Sequence, residues 1–248
     1  MIDAHAHLDA CEPAAEELAR RARAAGVETI LSVGTDIESC RATIAIAERC
    51  AGVFAILGIH PHEAGGADAE RLDELEALLA SPRAVALGEI GLDYFRDRAP
   101  RSAQRALFTA QLELAERLAT PVVIHTREAD DDTPAALEGF SGTIVLHCFS
   151  SPALLPWALE RDCFVSFAGN VTYPSAGELR DAARLVPPGR LLVETDCPYL
   201  APQPERGHPN EPAFVVHTLA ALADLRGEPV AELAERTAAN TRTAFRLP

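Results

Sequence analysis

The stretch Thr29-Ile-Leu-Ser-Val-Gly-Thr-Asp-Ile-Glu-Ser-Cys-Arg-Ala-Thr-Ile-Ala-Ile-Ala-Glu-Arg-Cys-Ala-Gly-Val-Phe-Ala-Ile-Leu57 decides how the chain is read. It opens on a short apolar run, Thr29–Val33, and crosses a longer stretch with helical periodicity, Ile37–Cys50. It closes on a second short apolar run, Val53–Leu57. Short β-branched runs read as buried strands and the longer periodic stretch as an amphipathic helix. The unit is strand–helix–strand, and its strands are expected to lie parallel.

The same alternation continues in both directions. Further strands are expected at Met1–Ala4, Ala84–Leu87, Val122–Ile124, Thr143–Leu146, Phe164–Phe167 and Leu191–Val193. Helices are expected at Ala14–Ala25, Ala69–Leu79, Ser102–Leu118, Ala153–Glu160 and Ala176–Leu185, then Pro212–Asp224 and Pro229–Phe245, broken at Arg226-Gly227. Eight strands each followed by helix predict a closed parallel α/β barrel, the (β/α)8 or TIM architecture, with right-handed crossovers. The length, 248 residues, suits one such barrel, and no linker or shift in composition divides it, so residues 1–248 read as one domain. The Pro-rich stretch Pro198–Pro212 reads as a functional loop.

No apolar run approaches the roughly 20 residues a membrane helix needs, and the N-terminus shows no signal-peptide pattern. The expectation is a cytoplasmic protein with no membrane partner. The six cysteines form no C-x-x-C pair and read as free thiols, although Cys148 and Cys197 each follow a candidate ligand and a thiolate ligand there stays open. Net charge is −15 and the chain contains no lysine. A polyanion must therefore be captured by local charge, against the global field. A carboxylated lysine bridging two metals is also excluded.

In such a barrel the active site sits at the C-terminal ends of the strands. Six of the eight histidines fall there: His5, His7, His60, His62, His125 and His147. His5 and His7, two apart on extended chain, face the same way. Glu89 follows the fourth strand, where an inward carboxylate is costly unless it meets a cation or an arginine. Asp196 follows the eighth strand, and Glu194 is a competing carboxylate lying deeper. Four imidazoles (His5, His7, His125, His147) and two carboxylates (Glu89, Asp196) suit a pair of Zn²⁺, Mn²⁺, Fe²⁺ or Co²⁺ ions better than Mg²⁺. Without lysine, Glu89 is the carboxylate expected to bridge them. Two such ions, about 3.5–4 Å apart, clamp the oxygens of an in-line displacement and generate hydroxide near neutral pH. Two dications less Glu89, Asp196 and one hydroxide leave the site at roughly +1, which favours an anionic substrate.

The motifs Ile2-Asp-Ala-His-Ala-His-Leu-Asp9, Gly58-Ile-His-Pro-His62, Gly88-Glu-Ile-Gly-Leu-Asp-Tyr-Phe95, Ile124-His-Thr-Arg127, Leu146-His-Cys-Phe-Ser150 and Leu192-Val-Glu-Thr-Asp-Cys-Pro-Tyr-Leu200, with Arg206-Gly207 and Asn210-Glu211-Pro212, resemble those of the TatD family of metal-dependent deoxyribonucleases. The resemblance spans nearly the whole chain. It implies one ion held by His5, His7 and Asp196 and another by His125 and His147, with Glu89 between. It also implies phosphodiester hydrolysis, typically of single-stranded DNA from the 3′ end, by a metal-bridged hydroxide with Asp196 handling its proton. Related members are linked to other ester hydrolyses, including removal of D-amino acids from tRNA. His208-Pro209 replaces a basic stretch common in the family, which leaves Arg206 more of the phosphate contact.

On that reading His60 and His62 serve the scissile phosphate or leaving oxygen, or else hydrogen-bond behind the ligands. Arg127 offers a fork to phosphate, or pairs with Asp93 or Glu128. Asp93 and Tyr94 orient ligands or, for Tyr94, stack on a base or pack. The run Arg96, Arg98, Arg101 and Arg105 lies on the catalytic rim, and Asn210 with Glu211 caps the last helix. The expected partner is a nucleic acid strand, with the protein acting as a monomer. An amide, lactone or aminoacyl-ester hydrolase on the same metal pair is the rival enzyme, and a binding protein with little turnover is the rival outside enzymes.

Overall fold

Eight parallel strands form one sheet whose spatial order is the chain order: β1 (Ile2–Ala6), β2 (Thr29–Gly34), β3 (Val53–Leu57), β4 (Ala84–Asp93), β5 (Val122–Arg127), β6 (Ile144–Leu146), β7 (Phe164–Phe167) and β8 (Leu191–Val193). The computed structural model describes residues 1–248. β8 returns to β1 through a bridge between Ala6 and Cys197, where the His7 amide donates to the Cys197 carbonyl at 2.8 Å. A further bond from the Asp196 amide to the His5 carbonyl, 2.9 Å, completes the closure. The architecture is a (β/α)8 barrel.

Nine α-helices surround it: α1 (Ala15–Ala24), α2 (Ile37–Arg49), α3 (Leu72–Leu79), α4 (Arg101–Leu118), α5 (Asp132–Leu137), α6 (Leu155–Glu160), α7 (Gly177–Leu185), α8 (Val215–Arg226) and α9 (Val230–Phe245). α2 starts on a capping box: Asp36 accepts from the Ser39 amide at 2.7 Å, and the Ser39 hydroxyl accepts from the Asp36 amide at 2.9 Å. Reciprocal bonds of this kind satisfy two of the amides a helix start leaves orphaned. α5 was not expected; its six residues are too few to show a helical period. The expected helix starts at Ala69, Ala153 and Pro212 are instead 3₁₀ turns, Ala67–Glu70, Pro152–Leu154 and Pro212–Phe214, that precede α3, α6 and α8.

Alternate strand residues separate two cores. Ala4, Leu31, Val33, Ile56, Ala86, Val123, Val145, Phe164 and Leu192 together represent every strand and meet inside the barrel, with Ala244 and Phe245 of α9 packed against them. The larger cluster of 55 buried residues joins the outer strand faces to the helices. With the interior filled by side chains, the open end left for chemistry is the rim formed by the strands' C-terminal ends.

β1 runs on to Ala6 and β2 to Gly34, and two strands run further still beyond their apolar runs. β4 was expected to end at Leu87 and β5 at Ile124, yet they stay paired through Gly91–His125 and on to Asp93–Arg127. Glu89 and His125 therefore sit within strands, where ladder hydrogen bonds fix their backbone, and not on loops beyond them.

Candidate metal centre

The ligand-type residues are aimed by irregularities in the ladder. The β1–β2 register shifts between Asp3 and Ala6, and the β4–β5 register shifts between Gly88 and Ile90. His5 lies in the first interruption and Glu89 in the second. An extra residue in one strand re-aims a side chain that strict alternation would send elsewhere. Just beyond, Gly91 adopts φ +140°, and a Cβ there would lie 2.0 Å from the His125 carbonyl oxygen. Only glycine permits that approach of β4 to β5.

Glu89 is the hub. Its side chain is buried, yet five imidazoles surround it. Oε1 lies 2.6 Å from Nδ1 of His125, 2.7 Å from Nε2 of His147 and 3.3 Å from Nε2 of His60. Oε2 lies 3.5 Å from Nε2 of His5 and 3.8 Å from Nε2 of His7. Asp196 Oδ1 closes the other side, 3.4 Å from Nε2 of His7 and 3.9 Å from Nε2 of His5. Three donor groups result, each with its ligating atoms within 4.8 Å of one another: His5, His7 and Asp196; His5, Glu89 and His147; His60, Glu89 and His125. Two of these groups share Glu89 and two share His5, so the donors form one continuous cluster. Imidazole nitrogen and carboxylate oxygen at this density fit borderline divalent cations.

The carboxylates of the centre draw protons onto its imidazoles. Burial opposes ionisation of His7, but the hydrogen bond and charge of Asp196 overcome it and push its pKa up to about 9. Burial likewise opposes charge on His147 and His125, and the neighbouring carboxylates raise both above the ordinary imidazole value. Glu89 and Asp196, which burial alone would push up, are drawn below the usual carboxylate range by these same imidazoles. His60 goes the other way, lowered to about 4 because burial dominates.

A further layer of side chains fixes the donors. Asp93 accepts from Nε2 of His62 at 2.9 Å, Nε2 of His125 at 3.1 Å and the Arg96 amide at 2.7 Å. Gln104 of α4 clamps the Asp93 backbone through both its amide atoms, 2.8 and 3.1 Å. Two helical turns later, Gln111 clamps the Ile59 backbone in the same way, 2.8 and 2.9 Å. One face of α4 thus anchors both the His60 loop and the end of β4. Asp3 holds the Thr195 amide and hydroxyl at 2.8 and 2.6 Å, and Asn210 holds the Thr195 and Tyr199 carbonyls at 2.8 and 2.5 Å. Asp196 sits between these clamps with φ +57°, a strained left-handed conformation of the kind that persists only when its surroundings enforce it. Glu194, deeper in the barrel, accepts from the Cys148 amide at 2.7 Å and lies 3.4 Å from Nδ1 of His147.

The six residues expected as ligands, His5, His7, Glu89, His125, His147 and Asp196, all converge. Around them opens a cleft of about 730 Å³, which His60, His62, Asp93 and Arg127 also line. Several expectations change. His60 turns to Glu89 and joins a donor group, so it does not stand apart on the substrate side. Asp93 is buried at the cleft wall with its oxygens engaged by protein donors, an arrangement that orients His62 and His125. Tyr94 points away from the cleft: its hydroxyl donates to Asp132 at 2.5 Å and Arg101 covers its ring at 4.2 Å. Arg206 lies outside the cleft, stacked 4.5 Å from the Tyr173 ring and donating to its hydroxyl. Arg127 pairs with neither Asp93 nor Glu128, and its guanidinium lies 3.9 Å from the Phe95 ring. Asn210 is a loop clamp and caps no helix.

The cysteines are all free thiols. Cys197 faces Cys11, Sγ to Sγ 3.9 Å, and belongs to none of the donor groups. Phe95 and Tyr199, exposed at the rim, were not singled out from the sequence; their only signal is position, beside Asp93 and after Asp196.

The chain is similar to known metal-dependent hydrolases. The family model described as TatD related DNase matches residues 2–246. A Mycobacterium tuberculosis protein named uncharacterized metal-dependent hydrolase TatD is 41% identical, the match covering 100% of this chain and 98% of that protein. The 3′-5′ ssDNA/RNA exonuclease TatD of Klebsiella pneumoniae is 38% identical over 93% of this chain and 91% of its own. The crystal structure of YjjV, a TatD homolog from Escherichia coli, superposes with a TM-score of 0.93 at 33% identity, covering 100% of this chain and 98% of that one. No helix of this chain is long and apolar enough to cross a membrane. With a full-length family match and these relatives, the chain belongs to the TatD family of metal-dependent hydrolases.

Proposed function

We propose that this chain hydrolyses phosphodiester bonds of nucleic acid, with single-stranded DNA degraded from its 3′ end as the substrate. The observation that carries the reading is the meeting of five imidazoles on the buried carboxylate of Glu89. That arrangement suits two divalent cations, one held by His5, His7 and Asp196 and one by His125 and His147, with Glu89 shared between them. When bound, such ions supply Lewis-acid charge and lower the pKa of water. The Klebsiella relative's name as a 3′-5′ ssDNA/RNA exonuclease supports a polynucleotide substrate over a small ester.

The chain's own residues then divide the remaining work. Asp196, at the cleft edge, takes the proton of the attacking water. His62 lines the cleft with Nε2 held by Asp93, which leaves Nδ1 for the phosphate or the departing 3′ oxygen. Arg127 reaches the same cleft with a guanidinium free of carboxylates and suited to phosphate oxygens. As a P–O bond to water forms, the P–O3′ bond opens, and the proton that Asp196 took from the water passes to the departing 3′ oxygen, which leaves as the strand's 3′ hydroxyl.

Crystals grown with Mn²⁺ and thymidine 5′-monophosphate test this. The reading expects two anomalous peaks joined by Glu89, with the phosphate against His62 and Arg127. A nucleotide that binds elsewhere on the surface while the ions are in place would contradict it.

A further inference from the structure

Five large apolar or aromatic side chains of this protein are substantially exposed, and two of them are aromatic: Phe95 at 50% and Tyr199 at 57%. Both belong to the catalytic rim. Phe95 follows β4, and Tyr199 follows β8, four strands away and so across the barrel mouth. Tyr199 lines the cleft with its ring centroid 5.9 Å from that of His7. Phe95 carries two guanidinium groups, Arg127 at 3.9 Å and Arg96 at 5.8 Å from its ring centre. An exposed ring beside such a site offers a flat face on which a base can stack.

Charge points to the same occupant. Three arginines line the cleft, Arg96, Arg98 and Arg127, and none has a carboxylate within 4.0 Å. Their neighbours in the same run do: Arg101 lies 3.9 Å from Asp97 and Arg105 lies 3.3 Å from Asp132. In a chain of net charge −15 these three cations stand unneutralised at one edge of the cleft. A ligand that brings both negative charge and exposed planar rings is a single polynucleotide strand with its bases splayed. A duplex keeps those faces stacked inside.

We infer that Phe95 and Tyr199 are stacking platforms for bases on either side of the scissile phosphate, and that Arg96, Arg98 and Arg127 grip backbone phosphates of the same strand. This rests on the nuclease reading above. It adds the residues that make a strand a better substrate than an isolated diester.

The test compares Mn²⁺-loaded wild type with Phe95→Ala, Tyr199→Ala and Arg98→Gln on a twelve-residue oligothymidylate and on the dinucleotide dTpdT. Base–aromatic stacking predicts about a tenfold rise in KM for the oligomer per ring removed, with kcat little changed. The rise for dTpdT should be smaller, and Phe95→Trp should restore oligomer KM. Arg98→Gln should reduce the salt dependence of oligomer binding by about one phosphate contact. Melting temperatures of the variants should match wild type, since both rings are exposed. Cleavage of the oligomer with KM unchanged within twofold in both ring variants would overturn this inference and leave the nuclease reading standing. Failure of the wild type to cleave any nucleic acid would overturn both.

Discussion

Asp93 Oδ2 lies 3.1 Å from Nε2 of His125, while Nδ1 of the same ring lies 2.6 Å from Glu89 Oε1. One imidazole is thus suspended between two carboxylates. A proton shared with Asp93 leaves Nδ1 to face the cation position, and donation of the distal N–H to a carboxylate fixes the ring and raises its basicity. Asp93→Ala should therefore weaken the cation held by His125 and His147 by about 10- to 100-fold and spare the one held by His5, His7 and Asp196. Calorimetric titration with Mn²⁺ resolves the two equivalents. Equal weakening of both would place Asp93 in general folding and not in ligand orientation.

Metal uptake should release protons. His7 is raised to about 9 in the metal-free protein, with His125 and His147 also above their ordinary value, so a cation entering at neutral pH must displace protons from the imidazoles. Apparent affinity should then climb with pH until the His7 value is passed. The sign for metal-free stability is opposite: the raised His7 pKa contributes fully below the unfolded value of 6.5 and is lost as pH rises through about 9. Chelator competition between pH 6 and 9 reads the first trend, and urea unfolding of the metal-free protein reads the second. Affinity independent of pH over that window would show that the imidazoles are neutral before the ion arrives.

Asp196→Asn keeps the shape of the side chain but cannot accept a proton. Loss of a positioned general base costs about 10²- to 10⁴-fold in rate. The expected outcome is a fall of that size in kcat at saturating Mn²⁺, with both ions still detected by plasma mass spectrometry of protein kept in excess metal. Full rate with full metal content would remove Asp196 from proton transfer.

Gly91→Ala should be damaging although it removes no functional group. The added Cβ meets the His125 carbonyl at 2.0 Å, and φ +140° is closed to alanine. Strain plus overpacking at such a position costs about 3 kcal/mol or more. Thermal unfolding should show a clear drop in midpoint, together with lost metal binding as β5 moves. A variant of wild-type stability would mean that β4 and β5 separate easily at this point.

Much of this was legible in the residues. Thr29–Leu57 and its repeats announced a barrel because a buried parallel strand and its covering helix have distinct periods, and six histidines at strand ends marked one rim. What stayed hidden depended on departures from regularity. Interrupted registers at Asp3–Ala6 and Gly88–Ile90 aim His5 and Glu89, and no local pattern reports a bulge. The turn of His60 toward Glu89 depends on Gln111 clamping Ile59 from fifty-two residues away. Beyond β4 the alternation of faces lapses, so the turn of Tyr94 onto Asp132 had no answer in spacing. The helix Asp132–Leu137 is shorter than two turns and left no periodic trace.

The most direct test is hydrolysis by the Mn²⁺-reconstituted protein of end-labelled single-stranded DNA, RNA and aminoacyl-tRNA in parallel, with EDTA and Glu89→Gln as controls. The expected result is stepwise shortening of the DNA strand from its 3′ end, abolished by EDTA and by loss of the Glu89 carboxylate. Deacylation of the tRNA with every nucleic acid strand left intact would contradict the account.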